Sequence, residues 1–209
     1  MRVDGLPATR PAQSVTIDAA IEVEQSDAYV SRGALKLERA LEVWRIDPTG
    51  KVVLDVGAST GGFTDLLLRR GARRVYAVDV GYGQLHYRLR QDPRVVSMER
   101  TNIRYLTELP EPADLGVVDV SFISLKLALP PMFALVGGQI VALIKPQFEA
   151  GRASVGKGGV VRDTAVREAV LNDLKNWSET QPWRLLATVE SPIKGPAGNV
   201  EYLSLWETP

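Results

Sequence analysis

The feature that most constrains the fold is a regular alternation of apolar runs and amphipathic stretches after Pro48. The apolar runs are candidate strands, at 52–57, 75–81, 95–100, 115–122 and 139–146. Helical stretches are expected between them or after them, at about 61–70, 83–91, 125–136 and 162–178. Strands that are apolar on both faces and alternate with helices are typical of a parallel sheet covered on both sides. The sequence therefore predicts an α/β fold.

The C-terminal end departs from this rhythm. Two strand-like runs, 184–193 and 200–207, are joined only by the short segment KGPAGN. Because no helix fits into so short a connection, the two strands are expected to be antiparallel. A mostly parallel seven-stranded sheet with an antiparallel C-terminal hairpin and helices on both faces resembles the Rossmann-like class I methyltransferase fold. A further helix is predicted before the sheet, at 29–44, from apolar residues at helical spacing.

Composition excludes several kinds of site. The 209-residue chain contains no cysteine and a single histidine, so thiolate catalysis, disulfides and a cysteine- or histidine-rich metal site are excluded. We therefore expect no metal. No apolar run approaches the roughly 18 residues that a membrane helix needs, and the N-terminus has no apolar signal-peptide core. These features favour a cytoplasmic protein without a membrane segment.

Charge is balanced overall but not locally. The chain carries 25 basic and 25 acidic residues. The segment from Arg69 to Arg104 nevertheless holds nine arginines against three acids, the arginines being at 69, 70, 73, 74, 88, 90, 94, 100 and 104. Such a segment forms either solvated helix faces or a surface that meets phosphates. Charge alone leaves both alternatives open.

The run GASTGG at 57–62 fits two patterns with different chemistry. It matches G-x-S-x-G, the nucleophile elbow of serine hydrolases, and also a dinucleotide-type glycine turn with Ser59 in place of the middle glycine. A hydrolase of this type needs a histidine late in the chain, whereas His86 comes only 27 residues after Ser59 and before the sheet is complete. The sequence therefore favours a cofactor-binding turn.

Two aspartates indicate which cofactor binds. Asp79 ends the second strand, 22 residues after Gly57, close to the offset expected of an acid that hydrogen-bonds ribose hydroxyls. Asp55 precedes the glycine turn, where an acid suits the ammonium group of S-adenosylmethionine better than it suits NAD. An NAD-dependent oxidoreductase is the alternative on these residues.

Several sequence blocks together resemble one family, the TlyA/hemolysin-A-like RNA methyltransferases, which are relatives of the FtsJ ribose 2′-O-methyltransferases. The blocks are YVSRGALKL (29–37), LDVGASTGGFT (54–64), DVGYGQL (79–85), ERTNIR (99–104), DVSFIS (119–124), IKPQFE (144–149) and GNVEYL (198–203). The resemblance implies S-adenosylmethionine-dependent methyl transfer to a ribose 2′-hydroxyl of ribosomal RNA, with rRNA or a ribosomal subunit as the partner. A methyltransferase-fold protein that binds RNA or ribosomes without turnover is the alternative.

The resemblance also implies roles for particular residues. It implies a Lys-Asp-Lys-Glu active site of Lys36, Asp119, Lys145 and Glu201. In this arrangement Lys145 is the general base, Asp119 orients it and lines the methyl-donor site, and Lys36 and Glu201 position the hydroxyl. The cofactor residues that it implies are Gly57, Ser59, Gly61 and Gly62 at the methionine moiety, Asp79 at the ribose and Asn102 at the adenine, beside the Asp55 inferred above.

The remaining expectations concern domains and loops. Residues 1–27, with strand-like runs SVTI and AIEV, are interpreted as the tail of an N-terminal RNA-binding domain plus a linker, and residues 28–209 as the methyltransferase domain. The segment 149–163 is glycine-rich and basic, and we expect a lid that orders over RNA. The segment 81–87 is either helix-capping structure or a wall of the substrate cleft.

Overall fold

The computed structural model describes residues 2–8, 14–22 and 28–207. The N-terminal part forms a small antiparallel sheet of three two-residue strands, β1 (Arg2–Val3), β2 (Leu6–Pro7) and β3 (Ile21–Glu22). The strand expected at SVTI is wrong, because residues 14–16 have no regular structure and Ala19 closes a turn onto Thr16. The assignment of this region to an RNA-binding domain stays a prediction.

The main sheet has seven strands, as the sequence predicts. They are β4 (Val52–Val56), β5 (Arg74–Val78), β6 (Val95–Met98), β7 (Ala113–Val118), β8 (Val136–Ile144), β9 (Arg184–Glu190) and β10 (Tyr202–Glu207). Their order in the sheet is β6-β5-β4-β7-β8-β10-β9. The first five strands are parallel, and β10 is antiparallel to both β8 and β9. The predicted mostly parallel sheet with an antiparallel hairpin is confirmed.

Helices cover both faces of this sheet. They are α1 (Ala34–Trp44), α2 (Gly62–Arg69), α3 (Tyr87–Arg90), α4 (Leu125–Leu135), α5 (Pro146–Glu149) and α6 (Thr164–Glu179). Successive strand residues point to opposite faces, so Val53 packs with α1 and α2 whereas Leu54 packs with α4. Among the helices of the described residues, none is long and apolar enough to cross a membrane.

Two helices are shorter than the sequence predicts. The helix expected from residue 29 begins only at Ala34, because the buried Asp65 carboxylate accepts the Val30 N–H at 2.9 Å and so holds the preceding segment outside the helix. The helix expected at 83–91 is reduced to α3. Gly83 has a φ of +68°, and the His86 side chain accepts the Arg88 N–H as the N-cap.

The strand β10 is inserted between β8 and β9, and its register decides what meets at the sheet edge. Tyr202 pairs with Ile144, so the residue before Tyr202 lies opposite the residue after Ile144. Two buried polar contacts add to the ladder: Ser204 Oγ donates to the Ala142 carbonyl at 2.9 Å, and Trp206 Nε1 donates to Ser204 Oγ at 2.8 Å. The start of β10 and the end of β8 therefore share one edge.

Asp55 is a buried carboxylate in the middle of the sheet. It is 1% exposed, and its Oδ2 accepts a hydrogen bond of 2.6 Å from the Thr64 hydroxyl of α2. Burial raises the pKa of Asp55 to about 7, with the Thr64 hydrogen bond opposing the shift and the nearby carboxylates of Asp119 and Asp79 adding to it. The folded protein therefore holds this proton at a pH where the unfolded chain has released it.

This shift predicts how stability depends on pH in the cofactor-free protein. Because the folded pKa of Asp55 is the raised one, its contribution is complete below about pH 4 and is lost as the pH rises through about 7. Asp55→Asn removes this titration. Between pH 5 and pH 8 the free energy of unfolding of the variant minus that of the wild type is expected to rise by about 2–3 kcal/mol in chemical denaturation, because only the wild type loses the Asp55 contribution.

The control is Asp47→Asn, since Asp47 is exposed and its pKa is lowered by hydrogen bonds from Thr49. Asp47 is ionised in both folded and unfolded chains over this range, so its variant is expected to differ from the wild type by a constant amount. A difference that is also constant for Asp55→Asn would contradict the assignment of a neutral buried carboxyl.

Candidate active site

A cleft of about 670 Å³ opens at the carboxyl ends of β4, β5 and β7. This is the edge at which open α/β sheets place their ligands, and the volume suits a small molecule of cofactor size. Of the residues predicted to bind the cofactor, four line this cleft: Gly57, Ser59, Asp79 and Asn102. Asp119, predicted as part of the active site, also lines it.

The glycine turn forms the floor of the cleft. Gly57 has a φ of +83°, and a β-carbon there would overlap the carbonyl of Asp119, so both conformation and space require glycine. Ser59 is also left-handed, with a φ of +49°, and its N–H donates to Asp79 Oδ2 at 2.8 Å. This hydrogen bond fixes the backbone of Ser59, which forms part of the cleft wall.

Asp79 connects the loop that follows β4 with the loop that follows β5. Its Oδ2 accepts the Ser59 N–H, and its Oδ1 accepts the Gly81 N–H at 2.7 Å. The carboxylate is thereby fixed at the end of β5, and each of its oxygens has a second lone pair to offer. A preorganised acceptor of this kind suits a pair of ribose hydroxyls.

Three predicted cofactor residues do not line the cleft. Gly61 packs closely against Leu85 and Leu89, with a φ of +97°, and Gly62 packs against Ser31. Asp55 is turned towards Thr64, as described above. These residues shape the turn and the start of α2, and their predicted contact with a cofactor stays a prediction.

Asn102 lines the cleft after β6, which lies two strands away from the β4 strand that precedes the glycine turn. Its Oδ1 accepts the Arg104 N–H at 3.0 Å and caps a short 3₁₀ helix, Ile103–Tyr105. The side chain therefore has a local structural role in addition to its place in the cleft wall.

Lys145 and Asp119 form the first of two short ion pairs beside the cleft. Lys145 follows β8 directly, and its Nζ lies 2.6 Å from Asp119 Oδ1 and 2.9 Å from the Ser121 hydroxyl. Asp119 follows β7, and its N–H donates to the Val56 carbonyl of β4 at 2.9 Å. The pair thus joins the ends of three neighbouring strands.

Lys36 and Glu201 form the second ion pair, with Lys36 Nζ 2.6 Å from Glu201 Oε2. The Lys36 side chain is 8% exposed and that of Glu201 is fully buried. Glu201 immediately precedes β10, and the register of β10 places it opposite Lys145. All four residues of the predicted Lys-Asp-Lys-Glu set are therefore paired at the same sheet edge.

Some residues near this edge could not be singled out from the sequence. Ser121 bonds to Lys145, and Phe122 is 90% exposed with a φ of +65°, its ring 4.9 Å from that of Phe148. Glu149 accepts the Ser124 hydroxyl at 2.6 Å and the Leu125 N–H at 2.8 Å. The blocks DVSFIS and IKPQFE contain these residues, but only the fold shows that the two blocks pack together.

The segment 69–104 is mostly, but not wholly, neutralised. Six of its nine arginines form ion pairs, namely those at 69, 70, 73, 74, 88 and 94. Among the described residues, Arg90, Arg100 and Arg104 have no carboxylate within ion-pair distance, and Arg100 lies over the Tyr82 ring at 4.3 Å. The six paired arginines belong to neutralised helix and strand faces, and a phosphate-binding surface formed by the other three stays a prediction.

Two other kinds of site, a serine-hydrolase site and a metal site, were considered for the polar residues. His86 acts as the N-cap of α3, so a hydrolase-type partnership with Ser59 is not formed. In the part of the chain that the structure describes, no group of three or more His, Asp or Glu residues is placed to hold a metal ion.

Comparison with known proteins identifies the family. Residues 29–207 match the model of the FtsJ-like methyltransferases. The 16S/23S rRNA (cytidine-2′-O)-methyltransferase TlyA of Mycobacterium tuberculosis is 50% identical over 217 aligned positions, which cover 99% of this chain and 79% of that protein.

Solved structures agree with the sequence comparison. A Lactococcus lactis protein named as a candidate hemolysin is 45% identical, with a TM-score of 0.83 over 87% of this chain and 89% of its own. Magnesium protoporphyrin IX methyltransferase of Synechocystis, solved with bound S-adenosylmethionine, is 13% identical with a TM-score of 0.55, over 85% of this chain and 79% of its own, and shares the fold alone. The chain has a class I methyltransferase fold and belongs to the FtsJ-like methyltransferase family, among the relatives of TlyA that the sequence blocks indicate.

Proposed function

We propose that the protein transfers a methyl group from S-adenosylmethionine to a ribose 2′-hydroxyl of ribosomal RNA. The observation that carries the proposal is the pairing of Lys145 with Asp119 and of Lys36 with Glu201, at 2.6 Å each, beside the cleft. Asp119 belongs both to the cleft wall and to this set of four, so the cofactor site and the catalytic site are continuous.

The cleft has the features that S-adenosylmethionine requires. The glycine at 57 allows a ligand to approach the backbone, Asp79 offers fixed acceptors for ribose hydroxyls, and Asn102 offers a side-chain amide in the cleft wall. Bound there, the cofactor supplies an electrophilic methyl group on a sulfonium. Asp119 is the carboxylate of the cleft wall that faces such a cation.

Lys145 is the residue best placed to remove the hydroxyl proton. A ribose hydroxyl is a weak nucleophile at neutral pH, so proton removal and in-line placement both assist the transfer. Asp119 and Ser121 fix the direction of the Lys145 Nζ, and the side chain keeps 11% of its surface exposed. Nζ would first have to release its ammonium proton to water, and the neutral amine would then accept the hydroxyl proton, while S-adenosylmethionine held in the cleft would supply the methyl group.

Glu201 is suited to orient Lys36 for the same hydroxyl. One of its carboxylate oxygens, Oε2, accepts from Lys36, whereas Oε1 is buried without a hydrogen-bond partner among the described residues. Because Oε1 is buried against Gly195, the partly exposed Lys36 side chain is the member of the pair that is placed to meet a ligand. Glu201 therefore acts on the hydroxyl by holding the Lys36 amine in position.

The family relationship and the surface charge support RNA as the substrate. The similarity to TlyA extends over 99% of this chain. Arg104 lines the cleft, and Arg90 and Arg100, which precede and follow β6, have no carboxylate of the described residues within ion-pair distance. Exposed arginines beside tyrosines are typical of surfaces that bind phosphates and bases.

Cofactor binding is the first test of the proposal. S-adenosylmethionine at about 100 times its Kd is expected to add about 2.7 kcal/mol to the free energy of unfolding. This corresponds to a rise in the melting temperature of roughly 5–10 °C for a chain of this size. Ser59→Ala is expected to reduce the rise only modestly, because the Ser59 contact with Asp79 is made by the backbone.

NADH at the same concentration serves as the control ligand in this thermal shift measurement. It is expected to leave the melting temperature unchanged. A shift with NADH and none with S-adenosylmethionine would contradict the cofactor assignment and favour an oxidoreductase.

The general base is tested by Lys145→Ala. Lys36 and Glu201 are poorer targets, since removing one partner of a buried ion pair destabilises a protein by about 3–5 kcal/mol and confuses folding with catalysis. Lys145→Ala is expected to lower kcat for methyl transfer by about 10²- to 10⁴-fold, because proton removal is lost. The assay is transfer of labelled methyl groups to rRNA extracted from cells that lack the gene.

Two further measurements make this result specific. The thermal shift of Lys145→Ala with S-adenosylmethionine is expected to equal that of the wild type. Lys126→Ala removes a lysine that pairs with Asp173 away from the set of four, and it is expected to keep full activity. Undiminished transfer by Lys145→Ala would show that another group is the base, and absence of transfer by the wild type would favour a protein that binds RNA without turnover.

A further inference from the structure

Two loops adjoin the proposed catalytic residues in the sequence, and neither contributes a residue to the wall of the cofactor cleft. The first, residues 151–162, follows α5 and precedes α6, and we call it the basic loop. Within it Gly156 and Val160 form an isolated antiparallel bridge, and Gly158 and Gly159, with φ values of +80° and +74°, close a tight turn. The second, residues 191–200, connects β9 to β10. Both loops are therefore close in sequence to the set of four, one after Lys145 and the other before Glu201.

Asn199 ties the two loops together. This side chain is 2% exposed, its Oδ1 accepts the Val161 N–H at 2.9 Å, and its Nδ2 donates to the Gly159 carbonyl at 2.9 Å. The amide group thus uses both of its polar atoms on the backbone of the basic loop. A buried side chain that is hydrogen-bonded through both its oxygen and its nitrogen holds that backbone in one position, so the loop is attached to the protein at residues 159–161 as well as at its ends.

The loop 191–200, which contains Asn199, also packs against Glu201. Asn199 lies two residues before Glu201, and its carbonyl accepts the Gly195 N–H at 2.9 Å. Gly195 lies so close to the Glu201 carboxylate that a β-carbon at this position would overlap Oε1. The position of the basic loop is therefore fixed relative to one of the proposed catalytic residues.

The surface of these two loops is positively charged. It presents four exposed cations, Arg152, Lys157, Arg162 and Lys194. No carboxylate of the described residues lies within ion-pair distance of them, in contrast to most arginines of the segment 69–104. The neighbouring Asp163 is engaged as the N-cap of α6, where it accepts the Ala165 N–H at 2.9 Å.

We propose that the basic loop and Lys194 bind the phosphodiester backbone of the RNA on either side of the nucleotide that is methylated. The inference rests on the proposed function. Unpaired cations beside exposed glycine backbone are suited to phosphates, and phosphate contacts set the register of a nucleic acid on a protein. Asn199 is the positioning residue, because it keeps these cations at a fixed place beside Glu201 before the RNA arrives.

The charge is tested with the double variant Lys157→Gln/Arg162→Gln. Removing two phosphate contacts is expected to raise the KM for rRNA by about tenfold near physiological salt and to lower the slope of log KM against log salt by about 1.5. The KM for S-adenosylmethionine is expected to stay at the wild-type value. The substrate is rRNA extracted from cells that lack the gene.

The matched control is Lys175→Gln/Arg184→Gln, which removes the same charge from exposed positions elsewhere. Lys175 lies eleven residues along α6 from Thr164. Arg184 lies at the end of β9 that is remote from Glu190, the residue paired with Tyr202. This control is expected to match the wild type in both KM and salt slope. Equal effects of the two double variants, or no effect of either, would overturn the proposal.

The anchoring role is tested separately with Asn199→Ala, which leaves all four cations in place. Loss of the anchor is expected to raise the KM for rRNA without changing the salt slope or the KM for S-adenosylmethionine. It is also expected to lower the melting temperature, since the buried Val161 N–H loses its acceptor. An unchanged KM for rRNA would overturn the role of Asn199.

Direct binding separates this proposal from the proposed function. Fluorescence anisotropy of labelled rRNA fragments reports on the basic loop without requiring methyl transfer. If the wild type transfers no methyl group to rRNA, the proposed function fails. The affinities of the two double variants for the rRNA fragments still show whether the basic loop binds RNA. If transfer occurs and both double variants bind like the wild type, the loop proposal fails alone.

Discussion

The antiparallel pairing of β10 with β8 is the constraint on which the proposed active site depends. In a purely parallel sheet the residue before a strand lies at the edge opposite the ligand site, so Glu201 would be far from Lys145. Because β10 runs the other way, with Tyr202 opposite Ile144, the start of β10 coincides with the end of β8. The buried contacts of Ser204 and Trp206 hold this register, and a slip of one residue would turn Glu201 to the other face.

Asp119 then links this edge to the cofactor cleft. It stands at the end of β7, bonded through its backbone to β4, with its carboxylate on Lys145 and its carbonyl against Gly57. One residue thereby determines the distance between the glycine turn and Lys145, the proposed general base. The close approach also explains why the turn starts with glycine, since any β-carbon at 57 would displace Asp119 and, with it, Lys145.

Much of this arrangement could be predicted from the sequence, and the rest depends on contacts between distant segments. Periodicity and connection lengths predict the strands of the main sheet and which of them are parallel or antiparallel. The family resemblance of the sequence blocks predicts the set Lys36, Asp119, Lys145 and Glu201. Helix α1 begins later than its apolar spacing predicts, because a carboxylate 35 residues away captures the Val30 N–H. Asn199 belongs to the block GNVEYL, but its anchoring role has no local signal, since its two partners lie 38 and 40 residues earlier in the chain.

Mapping of ribose methylation tests the central claim most directly. The rRNA of cells that contain the gene would be compared, nucleotide by nucleotide, with the rRNA of cells from which it has been deleted. At least one 2′-O-methyl group is expected to disappear on deletion and to return when the wild-type gene is restored. Identical methylation of the two rRNA preparations would contradict it.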